Sequence, residues 1–106
     1  MAALHFTKDT FQKQVLESKG LVVVDFWATW CNPCQMFAPI VDQVADQLEG
    51  QVVVGKVETS ENPDLAIQYG VESIPTVIFF KDGQEVDRSI GLLPKPVLLQ
   101  KINALR

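Results

Sequence analysis

Apolar and polar positions along the chain form an ordered succession of strand-like runs and helical stripes. Ala3–Phe6 predicts a short strand. Thr7 is placed to cap a helix running to about Ser18, with Phe11, Val15 and Leu16 inward and Gly20 at its end. Leu21–Trp27 is a near-continuous apolar run rich in Val, as expected of a strand covered on both faces. A long helix is predicted from about Cys31 to Leu48, because Phe37, Ile40, Val41, Val44, Ala45 and Leu48 keep helical spacing. Pro39 should kink it, lacking an N–H and crowding the preceding turn, and Gly50 ends it. Gln51–Val57 is the next strand. Asn62–Pro63 reads as an N-cap with proline at the first helical position, opening a short helix to Tyr69 that Gly70 stops. After Pro75, the apolar run Thr76–Lys81 meets the hairpin signal Asp82–Gly83, and Glu85–Ile90 returns antiparallel. Pro94 and Pro96 lead into a last helix with Val97, Leu98, Ile102 and Leu105 apolar. Two βαβ crossovers and a hairpin predict an α/β fold with a mixed sheet and helices on both faces.

The 106 residues and an apolar share of 47 % suit one domain with one core, so a single domain over 1–106 is expected. No window approaches a membrane-spanning apolar length, so no membrane association is expected. The N-terminus has no basic stretch leading into a long apolar segment, which makes the cytoplasm the expected location. The formal charge of −4, with Lys and Arg scattered, offers no basic stripe for nucleic acid and favours a soluble monomer.

Composition matters most through the two cysteines, Cys31 and Cys34. A secreted scaffold would use more of them, more widely spread. With His5 the only histidine and distant in sequence, a closed zinc site would need a carboxylate or a second chain, so no metal is expected. The pair lies in Trp30-Cys31-Asn32-Pro33-Cys34, directly after a buried strand and opening a helix. On a helix, residues i and i+3 face each other, so the two thiols can close a disulfide. The helix N-terminus carries unsatisfied N–H groups and partial positive charge, which favour a thiolate, the attacking species in disulfide exchange. The second cysteine, one turn deeper, is placed to resolve the mixed disulfide, and Pro33 stiffens the first turn. Two structural cysteines, or half a zinc site, would be the bland alternative. A Cys-x-x-Cys beside a βαβ pattern favours redox use.

The chain resembles the thioredoxin family over essentially its whole length. The matching stretches are Val24–Cys34, Ala38-Pro39-Ile40, Gly55-Lys56-Val57, Asn62-Pro63, Tyr69-Gly70-Val71, Ile74-Pro75-Thr76 and Asp82-Gly83. The resemblance implies a thioredoxin fold, a central five-stranded mixed β-sheet flanked by four helices. It implies reduction of protein disulfides, with Cys31 as exposed nucleophile and Cys34 as buried resolving thiol. Asp25 matches the carboxylate behind the pair, acting on Cys34 directly or through water, and Lys56 matches that carboxylate's partner. From the residues alone, a carboxylate inside an apolar strand should have a raised pKa suited to proton transfer. Asp25 could instead face solvent at the strand end, and Lys56 could snorkel to the surface. Pro75 matches the family's cis-proline facing the pair, and Ile74 and Gly91 match residues touching substrate backbone. Gly91 would permit close approach of another chain, or simply end a strand. Trp30 would be an exposed rim aromatic and Trp27 a packed one, although either could be core. No cofactor binds to the chain itself on this reading, which has no Gly-rich dinucleotide fingerprint. The resemblance further implies that the disulfide is recharged by thioredoxin reductase, an NADPH-dependent flavoprotein, and that the other partners are disulfide-containing proteins.

Six positions depart from the family pattern. Asn32 replaces the usual glycine between the cysteines and, with Pro33, bears on redox poise. Gln35 stands where Lys or Arg is usual, which should leave Cys31 slightly less acidic. Leu92-Leu93 makes the expected substrate rim more apolar, or packs under the last helix. Glu58 and Ser60 also differ, and no function attaches to them here. Asn32 keeps open an oxidase or isomerase with a more oxidising couple. A binding or assembly subunit is the alternative from another class.

Overall fold

The Val-rich run forms the central strand of the computed structural model, which describes residues 3–106. The N-terminal reading above therefore falls partly on Met1 and Ala2, which lie outside the described residues. Five strands pair in one sheet: β1 (Leu4–His5), β2 (Leu21–Trp27), β3 (Val53–Glu58), β4 (Thr76–Lys81) and β5 (Gln84–Ile90), in the order β1-β3-β2-β4-β5. The β1–β3 and β2–β3 pairs are parallel, and β2–β4 and β4–β5 antiparallel. A π-helix (Gln12–Leu16), α1 (Asn32–Gln47), α2 (Pro63–Gln68) and α3 (Lys95–Leu105) cover the two faces. This is the expected mixed five-stranded sheet with four helices.

Alternation along β2 divides the core. Leu21 and Val23 pack with Val77 and Phe79 against Phe37, Val41 and Val44 of α1 and Leu98 and Ile102 of α3. Val22, Val24 and Phe26 pack with Phe6, Phe11, Val15, Ile78 and Phe80 beneath the π-helix and α2. Rings on this second face meet edge to face, Phe11 on Phe80 at 5.7 Å and Tyr69 on Phe80 at 5.4 Å.

Two local expectations change. The first helix is shorter than Thr7–Ser18 and winds as a π-helix, with the Glu17 amide donating to the Gln12 carbonyl. The Thr7 hydroxyl caps no amide: it lies 3.4 Å from Thr10 Oγ1, in a turn that precedes the helix and in which the Thr7 amide donates to Thr10 Oγ1 at 2.9 Å. Asn62 sits at the N-cap of α2 but makes no capping bond. Its amide group serves tertiary structure instead, accepting from the Lys8 N–H and donating to the Glu58 carbonyl, each at 3.0 Å. The Asp82–Gly83 hairpin forms as expected, with φ of 51° and 82° at the two turn residues, the twist that primed turns supply. The helix α1 continues on both sides of Pro39.

Candidate active site

β2 delivers the chain to the end of the sheet, and the short connection Ala28–Trp30 turns it into α1. Cys31 is the N-cap residue, extended at φ −98° and ψ 112°, and its Sγ accepts from the Cys34 amide at 3.2 Å. Pro33 occupies the first turn, where its missing N–H leaves no partner wanting. No acidic residue stands in that turn, so nothing there offsets the positive end of the helix dipole. Cys31 and Cys34 form a disulfide with their Cα atoms 5.2 Å apart. Cys31 is only 6 % accessible and Cys34 1 %, so Cys31, expected to be exposed, is buried like its partner and only slightly more open. Ala28, Trp27 and Ile74 pack around the pair.

The loop before β4 closes over the other side. The Ile74–Pro75 peptide is cis, as the resemblance implied, and the Ile74 carbonyl lies 3.8 Å from Cys31 Sγ. The Gly91 amide donates to the Pro75 carbonyl at 2.8 Å. Gly91 has φ +99°, which a side chain would make strained. Leu92 is 43 % exposed beside it, whereas Leu93 packs into the α1 face of the core. The leucine pair thus splits between the two readings given above. Trp30 is the open rim aromatic, 72 % exposed, and Trp27 is the packed one. Asn32 is exposed at the first position of α1. Gln35 Nε2 donates to the Thr29 carbonyl at 3.0 Å, tying the first turn back to the connection.

Ser60 and Glu58 have a place that sequence reasoning missed. Trp30 Nε1 donates to Ser60 Oγ at 3.1 Å. Glu58 Oε1 accepts from the Ser60 and Glu61 amides, which fixes the loop that presents Ser60. The available signal was a carboxylate at a strand end, two residues before a hydroxyl, but nothing in sequence aims that loop at Trp30.

On β2, Asp25 is 2 % exposed on the sheet face that α1 covers. Burial pushes its carboxyl up to about 7; the Lys56 ammonium opposes that rise and the Asp42 carboxylate adds to it. Lys56 stands directly opposite Asp25 in the β2–β3 register and is buried rather than snorkelling. Its ammonium does not bond Asp25, however. It pairs with Asp42 Oδ1 at 3.1 Å, and Asp25 Oδ1 is left without a hydrogen-bond partner in the protein. Among the described residues, no three His, Cys, Asp or Glu side chains gather as a metal cluster. No helix among them is long and apolar enough to cross a membrane.

The Thioredoxin family model matches residues 2–104. The chain belongs to the thioredoxin family. It is 52 % identical to Thioredoxin 1 of Nostoc sp. over 101 residues, covering 95 % of this chain and 94 % of the relative. It is 54 % identical to Thioredoxin 1 of Synechococcus elongatus over 97 residues, 92 % and 91 % of the two chains. A thioredoxin of Chlorobaculum thiosulfatiphilum is 45 % identical over 97 residues, 92 % and 90 %. With its cysteine pair closed as a disulfide at the head of α1, this member is a thiol–disulfide oxidoreductase that reduces protein disulfides.

Proposed function

We propose that the reductase cycle runs on Cys31 as nucleophile, Cys34 as resolving thiol and Asp25 as proton acceptor. The Cys31 thiolate attacks one sulfur of a substrate disulfide. The substrate S–S bond breaks, a mixed disulfide forms, and the departing thiolate takes a proton from water. Asp25 takes the Cys34 proton, the Cys34 thiolate attacks Cys31 Sγ, and the second substrate thiolate leaves. Two electrons have passed to the substrate, and the Cys31–Cys34 disulfide remains. The carrying observation is the Cys34 amide pointing at Cys31 Sγ from the first turn of α1, a donor that strengthens when the sulfur is charged.

Trp30, Ile74, Pro75, Gly91 and Leu92 form the substrate rim on this reading. Extended substrate backbone lies against the Ile74–Pro75 loop, and apolar side chains flanking the target cysteine meet Trp30 and Leu92. Lys56 tempers the charge of Asp25. Asn32 and Pro33 set the potential of the couple. Residues 1–106 act as one cytoplasmic, monomeric domain, recharged by an NADPH-dependent flavoprotein reductase.

The test is the equilibrium reduction potential of the Cys31–Cys34 couple, followed through Trp27 and Trp30 fluorescence. A value near about −270 mV, typical of thioredoxins, is expected. A value near about −180 mV would overturn the reductant reading, move the couple to the isomerase class and make Asn32 the first residue to revert to glycine.

A further inference from the structure

Lys56 is the one buried cation among the described residues, and two carboxylates compete for it. An ammonium so far from water must find a charged partner. Asp25 is the neighbour across the sheet register, and Asp42, on α1, is 37 % exposed at its side chain. Lys56 Nζ goes to Asp42, at 3.1 Å. The Ala3 amide donates to the same Oδ1, also at 3.1 Å, and so pins the Asp42 side chain over the β1–β3 edge. Asp25 Oδ1 meanwhile keeps its lone pairs uncommitted.

We propose that Asp42 is a positioning residue for the reaction: it holds the Lys56 ammonium at the outer end of an Asp25–Lys56–Asp42 row and so leaves the Asp25 carboxylate free to accept the Cys34 proton. The groups facing Asp25 are few. Lys56 comes from β3, Asp42 from α1, and neutral Val77 from β4. His5, exposed on β1, lies beyond Lys56 in the same register row. Were Asp42 neutral, the ammonium would turn to Asp25, whose carboxylate it would then stabilise as an ion pair. Both the approach of the cation and the loss of a nearby negative charge make Asp25 a weaker base. A base held near neutrality gives the best compromise between being unprotonated and accepting a proton readily.

This inference rests on the reading of Asp25 as proton acceptor, and the experiment separates the two. The Asp25 carboxyl is titrated by 13C NMR in the oxidised protein, in wild type, Asp42→Asn and Asp42→Glu. Single-turnover reduction of insulin disulfides is measured across pH in parallel. In Asp42→Asn the Asp25 midpoint should fall by about one pH unit. The acid limb of the rate profile should move down with it, and Asp42→Glu should restore both. Asp42→Ser serves if the asparagine variant does not fold. In a Lys56→Met background the Asp42→Asn effect should shrink to less than half, since no cation remains to turn. An unchanged or higher midpoint in Asp42→Asn overturns the proposal, as does an undiminished effect without Lys56. A lower midpoint with an unmoved rate profile leaves Asp42 in control of the carboxylate and removes Asp25 from proton transfer.

Discussion

The two faces of the sheet are built from the same strands yet carry different residues. Beneath the π-helix and α2, the buried side chains are Phe, Val, Ile and Leu. The buried polar groups at that side, Thr76 and Asn62, are neutral and fully engaged: Thr76 Oγ1 donates to the Ser73 carbonyl, and Asn62 bridges Lys8 and Glu58. Beneath α1, the same alternation of β2 brings in Asp25, with Lys56 beside it, the two buried charged residues among those described. One face only stabilises. The other accepts an electrostatic penalty under α1, and Asp25 is the group that bears it.

The largest expected effect lies at the pair itself. Cys31→Ser should abolish insulin reduction, while Cys34→Ser should accumulate the mixed disulfide with substrate, seen by mass spectrometry. Accumulation in the first variant rather than the second would exchange the two roles. On the apolar face, Phe26→Ala should lower stability by about 3–5 kcal/mol in urea denaturation, because it opens a cavity among buried rings. The titration of Asp25 should stay where it is, and a coupled shift would show the two faces to be less separate than their contacts suggest.

Asp25→Asn should do the reverse of a core deletion. The folded carboxyl binds its proton near pH 7, against an ordinary value of 3.8. Native protein therefore holds a proton that the unfolded chain has already lost, and stability falls as pH rises through this interval. About three pH units at about 1.4 kcal/mol each make the ionised carboxylate destabilising by about 4 kcal/mol above neutrality. Asn should recover up to about that amount at about pH 8.5 and almost nothing below about pH 4. Equal effects at both pH values would show that packing, not ionisation, is responsible. The smallest effect concerns Gln35. Gln35→Lys adds a cation in the first turn of α1 and should lower the Cys31 thiolate midpoint by a few tenths of a pH unit in an ultraviolet titration. No change, or a rise, would show that the lost bond to the Thr29 carbonyl matters more than charge.

The strands were legible to within two residues because burial on both faces leaves an unmistakable apolar run, as in Leu21–Trp27 and Thr76–Lys81. The first helix was not, since π and α windings bury almost the same positions: Phe11 and Val15 turn inward in either. Asn62 was correctly placed at the N-cap, but it makes no capping bond because its side chain is engaged by Lys8, 54 residues away in sequence.

At the site, the chemistry of Cys31 and Cys34 followed from sequence alone, because i,i+3 spacing at a helix start is a local geometry and the helix end supplies its own field. The rise of the Asp25 pKa was equally foreseeable, because a carboxylate inside an apolar run is desolvated whatever surrounds it. The partner of Lys56 was not. Register alone points the ammonium to Asp25, whereas α1 sets Asp42 over it with the Ala3 amide as anchor. Ser60 under the Trp30 indole, the splitting of Leu92 from Leu93 and the partial cover over Cys31 likewise depend on how separate loops come together. Local spacing and solvation are written along the chain; a contest between two carboxylates for one buried cation is decided only by packing in three dimensions.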